Sequence, residues 1–261
     1  MKRILTALLM IPLVAYAVLW ASFWVFFGVL ALAAILSYRE YNAITADYGF
    51  GAPGVAGYGA GLLLLVWTNE SLIPAWFLVV AFAVIALIFA LRPDDLSRSA
   101  PRAALLLLGV VYIFGCWKCA IPLREEFGSR HWLMYALLLN WAGDIGAYYV
   151  GRPFGRHKLA PVVSPKKSWE GSSASVLTSV LVGGAYLWHF VPNLNPLHIL
   201  GLTVAANIAG QFGDLAESAL KRGAGVKDSG GILPGHGGFL DRVDSTLFAL
   251  PVIYGYLKLA A

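Results

Sequence analysis

The chain has 261 residues, of which 59% are hydrophobic and only 13% are charged, with a formal net charge of +5 at pH 7. That balance excludes an ordinary water-soluble globular domain. The excess of positive charge does not point to nucleic acid, because the basic residues fall in loops between apolar runs and are not interleaved with exposed aromatics; anionic lipid or phosphate is the better match.

Apolar runs of about 17 to 25 residues, enough to cross the hydrocarbon core as helix, recur along the chain, and no long alternating strand pattern competes with them. The predicted fold is therefore all-α, a polytopic transmembrane bundle of about nine helices forming one domain over 1–261. Residues 4 to 38 are one apolar stretch, too long for a single span and sufficient for a helical hairpin turning near Ala21 and Ser22. Lys2, Arg3 and Ala15-Tyr16-Ala17 imitate a signal peptide with its cleavage site. The distribution of charge favours retention. Further spans are predicted at roughly 54 to 68, 74 to 91, 103 to 122, 131 to 150, 172 to 190, 196 to 216 and 243 to 260, the first of them short and glycine-rich. Pro74 and Pro196 stand near helix starts, where proline is tolerated. No low-complexity tract, long linker or convincing internal repeat divides the chain.

With this span order, alternate loops beginning at the N-terminus collect 15 of the 19 basic residues, leaving Lys118, Arg124, Arg130 and Lys258 on the other face. By the positive-inside rule the N-terminus and both large polar loops are expected in the cytoplasm and the C-terminus outside. Short loops and the lack of an organelle-targeting extension favour a bacterial inner membrane. The two cysteines, Cys116 and Cys119, form a lone CxxC without further metal-ligand side chains, so packing within a helix is the expected role.

Polar residues concentrate in two places. Asn140, Asp144 and Tyr148 recur at i, i+4, which puts them on one helical face expected to line a wet cavity. This face leads to Arg152, Arg156 and Lys158, which serve either as positive-inside anchors or as phosphate ligands. A Ser-Pro turn follows, in which Ser164, Lys166, Lys167 and Ser168 offer two ammonium groups and hydroxyls of the kind a nucleoside triphosphate needs. The second concentration runs from Ser218 to Asp244. Lys221, Arg222, Lys227 and Arg242 lie there with Asp228, Asp241 and Asp244 among many glycines, a composition suited to phosphate oxygens and a divalent cation that bridges them.

Asp241 and Asp244 share one helical face, and Asp214 and Glu217 form a second acidic pair at the end of the preceding span. Asp241 and Asp244 either ligate a metal or act as helix N-terminal charges paired with Arg242 and Lys221. An acid in an apolar helix costs roughly 2.5 to 3.5 kcal/mol on insertion scales, so a partner or a use is expected. His236, in Gly-His-Gly-Gly, suits orientation or phosphate contact better than general-base work, since a phosphate nucleophile is already ionised near neutrality. The P-loop, Rossmann, GxSxG and HExxH patterns are absent from the sequence. Three readings compete: metal-assisted chemistry on phosphates at a membrane, transport along a charged path, and lipid binding without catalysis. Confinement of charge to one face counts against transport.

The motifs resemble the phosphatidate cytidylyltransferases, also called CDP-diacylglycerol synthases. Ser218, Leu220, Lys221-Arg222, Lys227-Asp228, Gly230, Leu233-Pro234, His236-Gly237-Gly238, Asp241-Arg242 and Asp244 fill that family's long C-terminal signature without visible departure. Gly143-Asp144, with Ala147-Tyr148, and Ser164-Pro165-Lys166-Lys167-Ser168-Trp169-Glu170-Gly171 are similar to two upstream motifs, with serine at 168 where threonine is usual. The resemblance is strong in the second half and mainly one of hydropathy in the first. It implies transfer of CMP from CTP to phosphatidate, magnesium with room for a second monovalent or divalent cation, a cytoplasm-facing cavity open to the bilayer, and a homodimer. It also matches Asp214, Asp241 and Asp244 to the metal centre. Lys221, Arg222, Lys227, Asp228, His236 and Arg242 are then expected at the reacting phosphates. Asp144, Ser164, Lys166, Lys167, Ser168 and Ser218 are expected at the substrates.

Overall fold

Residues 2–50, 54–67, 75–90, 96–232 and 237–260 are described by the structure, a computed structural model. The first apolar stretch is two helices, α1 (Lys2–Leu19) and α2 (Phe23–Asp47), broken at Trp20 to Ser22 as the hairpin expectation required. The orphan carbonyls at the end of α1 are satisfied by arginines from elsewhere. Arg124, 1% exposed, donates from Nε to Val18 O (2.7 Å) and from Nη2 to Ala21 O (2.5 Å). Arg130 donates to Leu19 O at 3.1 Å. The Arg124 guanidinium also lies 4.5 Å from the centre of the Phe26 ring, so one side chain fastens both arms of the hairpin.

The chain continues through α3 (Gly54–Val66) and α4 (Ala75–Ala90). A single rod follows, made of a 3₁₀ turn (Leu96–Arg98), α5 (Ser99–Gly109), a π-helical turn (Val110–Gly115), α6 (Cys116–Lys118) and α7 (Ala120–Glu125). Both cysteines sit in this rod as free thiols, in keeping with packing. Next come α8 (His131–Phe154), a rod of α9 (Trp169–Ser179), a π turn (Val180–Gly184) and α10 (Ala185–Phe190), then α11 (Pro196–Gly223) and α12 (Leu240–Ala260). Among the described residues, three helices are long and apolar enough to cross a bilayer by length and composition: Phe23–Asp47, Leu96–Glu125 and Pro196–Gly223.

Two features differ from expectation. The chain is not purely helical, because β1 (Lys158–Ala160) and β2 (Ser164–Ser168) pair antiparallel, Lys158 with Ser168 and Ala160 with Ser164. A residue before proline is driven toward extended backbone, so Ser164-Pro165 opens a strand where the sequence alone suggests only a turn. In addition, α2 runs past the apolar stretch to Asp47. Its polar end is buried, with Ser37, Glu40, Asn42 and Thr45 all inaccessible, and Glu40 is bonded to Ser229 and Leu240 of the chain's second half.

The four basic residues outside the main charge group lie by the far ends of the rods. Besides Arg124 and Arg130 at the end of α1, Lys118 donates to Leu64 O (3.1 Å) at the end of α3, and Lys258 pairs with Glu126 (3.3 Å). The hairpin β1–β2 and the ends of α8 and α11 lie at the opposite end of the chain's up-and-down course.

Small residues set how closely the site-bearing helices approach. A methyl group on Gly146 of α8 would lie 2.3 Å from Thr178 Oγ1 of α9, and one on Gly213 of α11 would lie 2.5 Å from Asp244 O of α12. Neither separation is sterically possible, so these glycines bring α8 onto α9 and α11 onto α12 nearly backbone to backbone.

Candidate functional site

A cavity of about 780 Å³ opens where α8, the hairpin, α9, α11 and the start of α12 meet. Asn140, Asp144 and Tyr148 line one wall at their helical spacing, continued by Arg152. Lys158, Lys166 and Lys167 line the hairpin side, while Ser172, Ser175, Asn207, Gln211, Asp214 and Ser245 complete the interior. The base of the hairpin is fixed by Glu170. Its carboxylate accepts from the backbone N–H groups of Arg156 and His157 (both 3.2 Å) and meets His157 Nδ1 at 2.6 Å. Backbone hydrogen bonding and the His157 ring hold its pKa down to about 2.

The hydroxyl of Ser168, expected on substrate, accepts from Gly171 N at 3.2 Å and caps α9, although Ser168 does border the cavity. Ser164 begins β2 and pairs with Ala160. Beneath the cavity, Asn207 Nδ2 donates to Ser175 Oγ (3.0 Å) and Ser179 Oγ (2.8 Å), and its carbonyl accepts from Gln211 Nε2 (2.7 Å). Ser172 Oγ donates to Gln211 Oε1 at 2.5 Å. This network of neutral amides and hydroxyls satisfies groups that would otherwise be orphaned inside an apolar bundle. Sequence reasoning missed it, although Asn207, Gln211 and Asp214 repeat the i, i+4, i+7 stride.

Asp214 receives Lys167 Nζ at 2.6 Å and the Ser218 hydroxyl at 3.3 Å. Asp244, 7% exposed, accepts from Ser245 N at 2.6 Å. Asp144, Asp214 and Asp244 each lie within electrostatic reach of the other two. Asp241 is engaged differently. Its oxygens accept from Ser229 N (3.2 Å) and Gly238 N (2.9 Å), and it pairs with Lys221, which is bound at the same time to Glu217. Lys221 is thus buried between two acids, away from the cavity lining.

Arg222 donates to Val226 O (2.9 Å) on the exposed edge of the loop after α11. Lys227 and Asp228 are also exposed there, and exposed Arg242 is within electrostatic reach of Asp144. His236 lies outside the described residues, as do Leu233 to Gly235.

Among the described residues, no three side chains of the His, Cys, Asp and Glu types are grouped so as to enclose a metal ion as they stand. The donor chemistry of Asp144, Asp214 and Asp244 nevertheless fits a divalent cation. These are hard carboxylate oxygens on three neighbouring helices, beside a cavity with lysines on the facing wall, and Lys167 already seats a positive charge on one of them. Asp241 has Lys221 and the Ser229 and Gly238 N–H groups on its oxygens instead.

A family model described as the cytidylyltransferase family matches residues 1–260. A phosphatidate cytidylyltransferase of Staphylococcus aureus (strain COL) is 36% identical over 240 residues, covering 88% of this chain and 87% of that protein. Proteins of the same description are similar from Staphylococcus haemolyticus (34% over 232 residues, 85% of each chain) and Bacillus subtilis (33% over 247 residues, 89% of this chain and 86% of that protein).

Proposed function

The chain belongs to the cytidylyltransferase family, and we propose that it transfers CMP from CTP to phosphatidate, giving CDP-diacylglycerol and pyrophosphate. The observation that carries this reading is the meeting of Lys166 and Lys167 with Asp144 and Asp214 around one cavity. A phosphate oxygen of phosphatidate attacks the α-phosphorus of CTP, forming one P–O bond as the bond to the β-phosphate oxygen breaks. Pyrophosphate carries away the electron pair, and no general base is needed for an ionised phosphate.

The obstacle is repulsion between two anions. Lys158, Lys166 and Lys167 from the hairpin side and Arg152 from the end of α8 offset it by offering charge-assisted hydrogen bonds. Asp144, Asp214 and Asp244 are the residues that would hold Mg²⁺, which when bound neutralises phosphate charge and orients the leaving group. Asp241 is held by Lys221 and by backbone N–H groups in the loop before α12, and there it sets the start of that helix. A second cation, a homodimer, a cytoplasmic mouth for the cavity and a bacterial inner-membrane location belong to the same reading. The cytoplasmic mouth is supported by the concentration of basic residues in the loops at one end, and the bacterial location by the bacterial relatives.

The test is purified chain with CTP labelled in the α-phosphate, phosphatidate in mixed micelles and Mg²⁺. Label is expected to move into a lipid product, to stop on chelation and to return when Mg²⁺ is restored. A panel of other lipid phosphates as acceptors challenges the substrate. Preferred transfer to a polyprenyl or ether-linked phosphate, or no transfer at all, would overturn the assignment.

A further inference from the structure

Glu40 of α2 is 3% exposed, and none of the catalytic steps above uses it. Its Oε2 accepts from Leu240 N at 2.7 Å and from Ser229 Oγ at 2.8 Å. Leu240 is the first residue of α12, so Glu40 satisfies one of the orphan N–H groups that a helix normally gives to a local cap. Ser229 extends the link, since its Oγ accepts from Asp241 N (3.3 Å) and its N–H donates to Asp241. Asp241 closes the set by accepting from Gly238 N.

Three donors at the start of α12, on Gly238, Leu240 and Asp241, therefore end on side chains, and the acceptor for Leu240 comes from the other half of the protein. A carboxylate there also opposes the positive end of the helix dipole. The loop is shaped to receive it: a methyl group on Gly230 would lie 2.5 Å from Glu40 Oε1, and one on Gly238 would lie 2.6 Å from Oε2. Two glycines of the C-terminal motif thereby acquire a specific role as room for this carboxylate.

We propose that Glu40 is a positioning residue for cytidylyl transfer, a remote N-cap that sets the register of α12 and with it the carboxylates of Asp241 and Asp244. The proposal rests on the reaction assigned above. It does not place Glu40 in contact with substrate.

Glu40→Ala, Glu40→Gln and Ser229→Ala are prepared as full-length purified protein. Each is measured for kcat, for KM toward CTP and for amide hydrogen exchange over residues 237–245. Glu40→Ala is expected to lower kcat about 10- to 100-fold, the range found for partners that orient catalytic groups, with KM for CTP moving by less than about threefold. Exchange at the start of α12 accelerates in the same variant. Glu40→Gln keeps an acceptor oxygen and recovers most of both losses.

A Glu40→Ala chain that melts at lower temperature while keeping wild-type kcat and wild-type exchange would show a merely structural residue and overturn the proposal. If Glu40→Ala cannot be purified, Ser229→Ala breaks only part of the link and is measured in the same way: slower turnover with faster exchange supports the proposal, and wild-type values of both overturn it. Failure of the assigned reaction is separately visible, because wild-type protein would then transfer no CMP while the exchange arm still reports on the cap.

Discussion

Lys167 Nζ lies 2.6 Å from Asp214 Oδ2, which joins the hairpin to α11 across the cavity mouth. The two side chains are 24% and 33% exposed, so the pair contributes little to stability, about 0 to 1 kcal/mol. On the proposed reaction the pair holds opposite charges ready for a phosphate and a cation that would each take one partner. Lys167→Met is expected to raise KM for CTP about tenfold with a smaller change in kcat, as for a lost phosphate contact. Asp214→Asn is expected to lower kcat about 100-fold or more, as for loss of transition-state charge stabilisation. Neither variant should move the melting temperature in detergent appreciably. Steady-state kinetics and a thermal melt on the same preparations check both statements.

Gly213 makes a packing prediction that reads out in both activity and stability. A methyl group there would meet Asp244 O at 2.5 Å and Phe248 Cβ at 3.0 Å. A backbone carbonyl cannot swing aside, so Gly213→Ala must push α11 from α12 beside Asp214 and Asp244. Overpacking of this kind costs about 1 to 3 kcal/mol, and the displaced carboxylates should lower kcat by at least about tenfold. The control is Gly201→Ala in the same helix, which meets nothing within 4 Å. It should leave activity intact and raise stability by up to about 1 kcal/mol through helix propensity alone.

Hydropathy and regular spacing made part of this arrangement legible. The break near Ser22 followed from the length of an apolar run, and the face of Asn140, Asp144 and Tyr148 followed from a stride of four on a strongly apolar helix. Ser172, Ser175, Asn207 and Gln211 have comparable spacing and went unread, because neutral polar residues in a serine-rich run resemble ordinary helix packing. Two roles turned on competing partners close by in sequence, Glu217 four residues before Lys221 and Gly171 three residues after Ser168. Lys221 looks like a phosphate ligand in sequence, yet it is spent on Glu217 and Asp241. The Ser168 hydroxyl is spent on capping α9. Glu40 was invisible for a different reason: its hydrogen-bond partners lie 189 and 200 residues away, and it falls where hydropathy marks only the end of a span.

The hairpin should loosen in acid through Glu170. Backbone N–H groups and His157 lower its folded pKa from the ordinary 4.5 to about 2, which means that the folded hairpin favours the ionised form. The linked stabilisation is therefore fully present above about pH 4.5 and is lost as pH falls through about 2. Hydrogen exchange over residues 156–170, corrected for the intrinsic pH dependence of exchange, should show less protection toward pH 2 in the wild type. Glu170→Gln cannot titrate, so its protection should stay flat across the same interval. Parallel curves for the two proteins would remove Glu170 from the explanation.

Arg124 tests whether the first helix is retained as a working part of the bundle. Its guanidinium satisfies Val18 O and Ala21 O, contacts Glu125 and covers Phe26. Removing it leaves two carbonyls and the Glu125 carboxylate short of donors in an apolar setting. Hydrogen bonds to a charged group contribute about 1.5 to 3 kcal/mol each, so Arg124→Ala should cost on the order of 2 to 5 kcal/mol, most of it in the α1–α2 hairpin. Arg124→Lys should recover only part, because one ammonium cannot reproduce the planar fork that reaches both carbonyls. The cavity lies at the other end of the rods, so at low temperature kcat of Arg124→Ala should stay within about threefold of wild type while the melting temperature falls. A fall in kcat matching that of Asp214→Asn, with the melting temperature unchanged, would mean that the two ends of the bundle are coupled in a way these contacts do not provide.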